Sequence, residues 1–119
     1  MEKIMLKIEL NSKYNSTIFE TTGIIDKKNN ILIYDDNERT KTSFNLEQKI
    51  LMRENSIMKS NVQFDVNKNS YLSIYLKEEN QNLDINIFTK SIVKNDEFIE
   101  IIYLVNDVEQ FTYKIQFIK

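Results

Sequence analysis

Residues 1–10, MEKIMLKIEL, decide the class of fold that this chain adopts. Every second side chain from Ile4 to Leu10 is aliphatic, and charged side chains such as Lys7 and Glu9 fall between them. A period of two places the aliphatic side chains on one face of an extended chain. The segment is therefore predicted to be a β-strand that buries one face.

The same alternation continues along the chain and defines further strands. Polar stretches rich in asparagine interrupt it about every 8–12 residues, a spacing typical of a sandwich or a barrel. Asparagine suits tight turns because it tolerates positive φ better than other non-glycine residues. Connections this short favour antiparallel neighbours, so we predict a meander of about eight to ten strands. Beyond the first segment, the predicted strands cover residues 17–25, 31–35, 41–46, 49–53, 58–64, 71–76, 83–91, 98–105 and 111–118.

Two segments carry further expectations about the sheet. Gly23 is the one glycine in the sequence and lies inside a predicted strand, which predicts a bulge or a sharp bend. Such a bend helps a sheet to close on itself. Residues 45–53 also have an apolar spacing that suits a short helix, so strand and helix both stay open there. No repeat or linker divides the chain, which predicts one domain over residues 1–119.

The composition excludes several classes of function. The sequence contains neither histidine nor cysteine, so a Ser-His-Asp triad, a Cys-His pair, a disulfide and a histidine-ligated zinc site are impossible. The net charge is −2 and no basic face stands out, which argues against a nucleic-acid partner. No apolar run resembles a membrane-spanning helix or a signal peptide, so we expect no membrane partner and a cytoplasmic location. The abundance of isoleucine, asparagine and lysine is typical of an AT-rich bacterial genome.

The candidate binding residues are polar side chains among apolar neighbours. Alternation places Arg53 on the face of Leu51, and its rigid fork of donors suits a carboxylate or a phosphate. A strand-end arginine that simply pairs with a carboxylate is the competing interpretation. Thr89 and Ser91 are predicted to continue the aliphatic face of Ile87. Such a gradient is typical of the mouth of a ligand-binding barrel, and also of any strand that reaches solvent.

Other chemistry-bearing residues have simpler interpretations. The acidic group of Asp35, Asp36 and Glu38 lacks the spacing of an EF-hand loop, so a solvated turn is favoured over a calcium site. Lys90 and Ser91 are adjacent in a predicted strand and would point to opposite faces, which does not suit a nucleophile and its base. We therefore predict no metal site and no cofactor. Four tyrosines are predicted to cover the sheet with their hydroxyls in water: Tyr34, Tyr71, Tyr75 and Tyr103.

The chain resembles the YwiB-like family of uncharacterised bacterial proteins, which have a calycin-like, lipocalin-type β-barrel. The resemblance is carried by Thr21-Thr22-Gly23, by Leu51-Met52-Arg53, and by Thr89-Lys90-Ser91-Ile92 after Leu83-Asp84-Ile85. It covers nearly the whole chain and implies that the predicted sheet closes into such a barrel. Two turns depart from the family pattern, because Glu54-Asn55 and Gln81-Asn82 stand where glycines are expected. The resemblance implies no established activity and no catalytic residue.

The first functional hypothesis is a non-catalytic barrel that holds a small, partly apolar ligand. In this hypothesis Arg53, Thr21, Thr89 and Ser91 are polar contacts near one end of the barrel. A barrel of about eight strands either fills with side chains or just holds one small ligand. The hypothesis therefore requires an open cavity of roughly 300 Å³ or more with a few convergent polar groups.

Two alternatives stay open beside it. The second hypothesis is a protein-interaction module with a filled barrel, such as a homodimer, in which the apolar strand 98–105 needs cover on both faces. The third is an enzyme, and it is the least favoured because histidine and cysteine are absent. Such an enzyme would need carboxylate, lysine, tyrosine or metal chemistry. For a pair of carboxylates that converge across strands, Asp84 and Glu100 are the mid-strand candidates.

Overall fold

The alternating segments of the sequence form the strands of a closed β-barrel. The computed structural model describes residues 1–36 and 39–118, and within them the chain has ten strands and no helix. Each strand pairs antiparallel with its neighbours in sequence, and β10 also pairs with β1, which closes the sheet. The predicted antiparallel barrel of about eight to ten strands is thereby confirmed. The strands are β1 (Glu2–Ser12), β2 (Ser16–Asp26), β3 (Ile31–Asp35), β4 (Lys41–Asn45), β5 (Ile50–Glu54), β6 (Met58–Gln63), β7 (Asn69–Leu76), β8 (Gln81–Lys94), β9 (Phe98–Val105) and β10 (Glu109–Ile118).

Asparagine residues shape the turns between these strands, as the sequence predicts. In the β5–β6 turn, Asn55 Oδ1 accepts hydrogen bonds from the backbone N–H groups of Ile57 and Met58, at 2.9 and 3.0 Å. A side-chain carbonyl in this position takes the place of a backbone acceptor and tightens the turn. Asparagines with positive φ, the conformation that this residue tolerates, are Asn30, Asn67, Asn80 and Asn106.

Residues 45–53 form a turn and a strand, which decides between the two interpretations of this segment. The N–H of Lys49 donates to the Asn45 carbonyl at 2.9 Å, and Lys49 has a φ of 59°. β5 then begins at Ile50 and pairs with β4 on one side and β6 on the other. The two ladders satisfy backbone groups that a helix this short would leave largely unpaired, so sheet pairing prevails over helical spacing.

The two ends of the barrel differ in the loops they carry. Because the chain is an antiparallel meander, alternate connections lie at the same end. The connections β1–β2, β3–β4, β5–β6, β7–β8 and β9–β10 share what we call the open end, and the other connections share the base. Residues near the open end of β3, β5 and β6 line the cavity described below, so this end positions the candidate site.

The β-bulge of the barrel lies at Lys90, in β8. The pairing of β8 with β9 shifts register between Thr89 and Ser91, so that Lys90 is the extra residue on its strand. A bulge of this kind increases the local bend and twist of a strand. The same shift changes which face of the sheet the following residues occupy, with consequences for Ser91.

Gly23 does not form a bulge, so that half of its prediction is wrong, while a sharp bend there stays a prediction. Gly23 pairs with Ile4 in unbroken register between the described strands β1 and β2, and its φ is not positive. What the position requires is the absence of a side chain. A Cβ on Gly23 would lie 2.6 Å from Leu6 Cδ1 and 3.1 Å from the Ile33 carbonyl oxygen. The glycine therefore allows the fully buried Leu6 to pack directly against the β2 backbone.

Replacing Gly23 by alanine is expected to lower the free energy of unfolding by about 1–2 kcal/mol, because the added methyl overpacks the site. The Leu6 side chain can rotate away, but the Ile33 carbonyl belongs to a paired strand and cannot. Urea denaturation followed by circular dichroism measures the change. Thr22→Ala on the neighbouring, exposed position is the matched control and should change stability by less than about 0.5 kcal/mol. Equal stability of Gly23→Ala and wild type would contradict this role of the glycine.

Candidate ligand cavity in the barrel

The barrel interior is not completely filled by side chains. A cavity of about 380 Å³ lies between the inner faces of β1 to β10 and reaches toward the open end. On β3 to β6, two rows of inward residues that the strand register places side by side form the wall and the packing behind it. Directly opposed residues on adjacent strands have side chains in contact on the same face. The two rows differ in chemistry, so the wall has a polar level and an apolar level.

The upper level, nearer the open end, is polar. Tyr34 pairs with Thr42, Thr42 with Arg53, and Arg53 with Ser60, across β3, β4, β5 and β6. All of these side chains border the cavity. We call this set, Tyr34, Thr42, Arg53 and Ser60, the polar row. It gives the cavity several hydrogen-bonding groups within one cross-strand line.

The lower level is apolar and lies two residues closer to the base on each strand. Leu32 pairs with Phe44, Phe44 with Leu51, and Leu51 with Val62. Leu32 and Phe44 are completely buried, while Leu51 and Val62 border the cavity. We call these four residues the apolar row. A molecule in the cavity would therefore meet hydrocarbon at its inner end and polar groups at its outer end.

An ion pair sits at the outer edge of the polar row. Arg53 Nη2 donates to Asp36 Oδ2 at 2.7 Å. The Asp36 side chain is 8% exposed and the Arg53 side chain 36% exposed, so the pair spans the boundary between cavity and solvent. The backbone N–H of Thr40 donates to Asp36 Oδ1 at 2.9 Å, which fixes the carboxylate in the β3–β4 loop. The arginine thus has the carboxylate partner that the simpler interpretation expected, and it also lines the cavity.

Two tyrosines meet hydroxyl to hydroxyl beneath this ion pair. The hydroxyls of Tyr34 on β3 and Tyr113 on β10 are hydrogen-bonded to each other across the barrel. Burial raises the pKa of Tyr34 to about 12, although the hydrogen bond with Tyr113 lowers it in part. Burial also raises the pKa of Tyr113 well above its usual value. Both phenols are therefore neutral hydrogen-bonding groups at physiological pH.

Thr42 and Tyr103 add further polar atoms to the cavity wall. Thr42 Oγ1 lies close to the Tyr34 hydroxyl but completes no well-formed hydrogen bond with any described residue. Tyr103 on β9 packs between Phe64 and Phe111, with ring centroids 5.2 and 5.6 Å away. Burial raises the pKa of Tyr103 to about 12. A buried polar atom without a partner is unusual in proteins, and one that borders a cavity is available to a ligand.

The raised pKa values of Tyr34 and Tyr103 predict that the fold weakens at alkaline pH. In the unfolded chain a tyrosine ionises near pH 10, whereas in the fold these two stay protonated to about pH 12. Their stabilising contribution is complete below pH 10 and is lost as the pH rises through 12. By linkage, the unfolding free energy should fall by about 1 kcal/mol for each tyrosine between pH 8 and pH 11. Urea denaturation at these two pH values measures it, and unchanged or higher stability at pH 11 would contradict the burial of these phenols.

The structure places the four predicted binding residues in different surroundings. Arg53 borders the cavity on the face of Leu51, as alternation predicts. Thr21 shares the inner face with Leu6, but its hydroxyl donates to the Asp35 carbonyl at 3.0 Å and it does not border the cavity. Of the four predicted residues, therefore, only Arg53 borders this cavity.

Thr89 and Ser91 do not form a polar rim, which corrects the prediction for the end of this strand. β8 continues to Lys94, and Thr89 is completely buried under the β6–β7 loop, where its carbonyl accepts from the Asn67 N–H at 2.8 Å. Ser91 pairs with Ile102 on the outer face, because the bulge at Lys90 breaks the alternation. The apolar-to-polar gradient expected on β8 lies instead across β3 to β6, in the two rows.

The tyrosine prediction is half wrong. Tyr71 and Tyr75 lie on the outer face, where the Tyr75 hydroxyl donates to Asn80 Oδ1 at 2.6 Å. Tyr34 and Tyr103, by contrast, point into the barrel. A signal for Tyr34 exists in the sequence, because it lies two residues after Leu32 and so shares its inward face. Tyr113 gives the same signal, since it alternates with Phe111 and Ile115.

The acidic side chains that the structure describes do not converge on a common site. Asp36 is largely buried and paired with Arg53, so its assignment to a solvated turn is wrong, while Asn37 and Glu38 lie outside the described residues. Asp84 accepts from the Ser73 hydroxyl at 2.9 Å on the outer face. Glu100 also faces outward, since it lies between the inward Ile99 and Ile101. In residues 1–36 and 39–118, no group of three acidic side chains could hold a metal ion.

These observations define a class: a closed antiparallel β-barrel whose interior holds a cavity with a polar and an apolar level. The fold is similar to that of YwiB from Bacillus subtilis, whose crystal structure matches it with a TM-score of 0.64 over 97% of this chain and 88% of that chain. The two sequences are 16% identical, so the similarity is one of fold. The sequence matches no protein-family model and no curated protein sequence. The described residues include no helix long and apolar enough to cross a membrane.

Proposed function

We propose that this protein binds a small, partly apolar molecule inside its barrel and does not transform it chemically. The observation that carries the proposal is the cavity of about 380 Å³ with the apolar row at one level and the polar row at the next. Small-molecule sites typically combine a mostly apolar wall with a few placed polar groups in a volume of roughly 300–1,000 Å³. The cavity has both properties, and its volume lies at the small end of that range.

The volume limits the size of the ligand. An engineered apolar cavity of about 150 Å³ accommodates benzene, which has six non-hydrogen atoms. On the same scale, a cavity of about 380 Å³ accommodates a molecule of roughly 15 non-hydrogen atoms. A monocyclic or bicyclic compound or a medium-length acyl chain fits this limit.

The chemistry of the wall supports binding without catalysis. A general base works best when its pKa lies near the working pH. The phenols of Tyr34, Tyr103 and Tyr113 have pKa values raised by burial, which keeps them protonated. Asp36 is engaged by Arg53 and by the Thr40 backbone. These groups hold and orient a ligand, and none of them is poised to exchange a proton with it.

We further propose that the chain is a member of the YwiB-like family of calycin-like barrels, cytoplasmic and bacterial. The similarity of fold to YwiB over 97% of the chain supports this proposal, together with the segments around Gly23, Arg53 and Thr89 that carry the resemblance. A protein-interaction module had been the alternative, with a filled barrel. The cavity is at odds with a barrel filled by side chains, which that alternative assumes. Assembly into a homodimer stays a prediction, which native mass spectrometry would test.

The binding proposal is tested by titration with 7-dimethylamino-4-methylcoumarin, an uncharged bicyclic dye within the size limit of the cavity, whose fluorescence increases in apolar surroundings. The expected result is saturable binding of one dye molecule per chain, in the micromolar range or tighter. Native mass spectrometry of the protein purified from its own host should in addition show a bound small molecule. Fluorescence that rises without saturation, together with the mass of the bare chain, would contradict the proposal.

A further inference from the structure

The charges on the cavity wall bear on the class of ligand, and this inference rests on the proposed function. Among the described residues that line the cavity, Arg53 and Asp36 carry the ionised side chains. They are 2.7 Å apart and have opposite signs, so the wall as a whole is neutral. The carboxylate of Asp36 is held in place beside Arg53, because its other oxygen accepts a hydrogen bond from the Thr40 N–H at 2.9 Å.

This arrangement disfavours a charged ligand of either sign. A ligand carboxylate at Arg53 would lie beside the carboxylate of Asp36, which is 8% exposed and poorly screened by water. The guanidinium would then serve two anions, and the second anion would lose its hydration without a cation of its own. A ligand ammonium that approached Asp36 would be repelled by the positive charge of the adjacent Arg53 guanidinium. An uncharged ligand avoids both costs.

The hydrogen-bonding capacity of the wall specifies the polar group of that ligand. A guanidinium has five N–H donors, and the hydrogen bond from Nη2 to Asp36 uses one of them. The Tyr103 phenol is a protonated donor, because burial raises its pKa to about 12. The Tyr34–Tyr113 pair has two hydroxyl protons and uses one of them in the hydrogen bond between the two rings. The guanidinium of Arg53 has donors and no acceptor, so the ligand atom that meets it is an oxygen that accepts.

We propose that the barrel selects an uncharged ligand whose apolar body lies against the apolar row and whose accepting oxygen, such as a carbonyl, meets Arg53 and its neighbours in the polar row. In this proposal Asp36 is a specificity-determining residue. It neutralises Arg53 and so prevents the barrel from retaining carboxylic acids, which an arginine in a cavity would otherwise attract.

The proposal is tested with two probes that have the same number of non-hydrogen atoms and differ in charge. Undecan-2-one has an alkyl chain and a neutral carbonyl, and decanoate has an alkyl chain and a carboxylate. Each probe is titrated near neutral pH against the protein loaded with 7-dimethylamino-4-methylcoumarin. We expect undecan-2-one to displace the dye with an affinity at least about tenfold higher than that of decanoate. This difference is smaller than the full cost of an unpaired buried charge, because the carboxylate can stay partly hydrated at the open end.

The variant Asp36→Asn then tests the role of the carboxylate. Asparagine keeps an oxygen for the Thr40 N–H but leaves the Arg53 charge uncompensated. We expect decanoate to gain about tenfold or more in affinity, while undecan-2-one changes by less than about threefold. Asp84→Asn removes the same charge on the outer face of the barrel, where the side chain does not border the cavity, and should change neither affinity. Thermal unfolding of both variants verifies that they are folded.

Each outcome of this experiment separates the inference from the proposed function. Decanoate binding as tightly as undecan-2-one in the wild type, or no gain for decanoate in Asp36→Asn, would overturn the inference and leave ligand binding in place. Dye binding that undecan-2-one cannot displace would also overturn it. A protein that binds neither the dye nor either probe would contradict the proposed function itself.

Discussion

Replacing Leu51 by tryptophan is expected to abolish dye binding in the barrel. Leu51 borders the cavity and belongs to the apolar row, so the larger indole fills space that the ligand needs. Titration of the variant with 7-dimethylamino-4-methylcoumarin should show affinity lowered by at least about a hundredfold, because overlap with packed atoms is strongly repulsive and the barrel wall cannot yield. Since the added ring occupies an existing cavity, we expect the fold to survive with a change of less than about 1.5 kcal/mol.

The adjacent residue supplies a matched control for this substitution. Met52 follows Leu51 on β5 and faces outward, with 42% of its surface exposed. Met52→Trp introduces the same indole into the same strand on the opposite face of the sheet. It should bind the dye with wild-type affinity. Equal binding by Leu51→Trp and Met52→Trp would show that the dye does not occupy the barrel.

Replacing Arg53 by methionine is expected to lower the free energy of unfolding by about 2–3 kcal/mol. The substitution keeps most of the apolar stem but leaves the Asp36 carboxylate largely buried without its guanidinium. Removal of one partner from a fully buried ion pair typically costs about 3–5 kcal/mol, and the partial exposure of Arg53 reduces that figure. Urea denaturation measures the loss.

The double variant Arg53→Met with Asp36→Asn shows whether the buried charge is the cause. The double variant also removes the negative charge that Arg53 balances, so it should recover at least half of the stability that the single variant loses. A single variant that loses less than about 0.5 kcal/mol would contradict the account of this ion pair, since that is the range of ordinary surface substitutions. A double variant no more stable than the single one would assign the loss to packing of the arginine stem instead.

The sequence predicts the strands well because their signal is local. Alternation such as that of Ile4 to Leu10 requires no information about distant residues, and all ten strands of the described chain overlap predicted segments. The inward direction of Arg53 follows from the same local rule, since Leu51 precedes it by two residues. Closure of β1 on β10 joins residues about a hundred positions apart and came from the family resemblance rather than from periodicity.

The site was predicted less well because it depends on register and on one irregularity. The extra residue at Lys90 turns Ser91 to the outer face, and alternation assumes that no such residue exists. The polar row requires knowledge that Thr42 opposes both Tyr34 and Arg53, which no single strand contains. The meeting of the Tyr34 and Tyr113 hydroxyls likewise needs the closed barrel. The bulge predicted at Gly23 is absent for a related reason. The position requires glycine because Leu6 on another strand leaves no space for a side chain, which the local sequence does not reveal.

The central claim is that an uncharged ligand lies inside the barrel, between the apolar row and the polar row. Methyl NMR spectra of the isotope-labelled protein, titrated with undecan-2-one, test it most directly. The account predicts that the shifted signals come from inward methyls that border the cavity, such as those of Ile8, Leu51 and Val62. The outward methyls of Ile24 and Ile102 should stay unchanged. Shifts confined to outward methyls, or no shifts at saturating probe, would contradict the account.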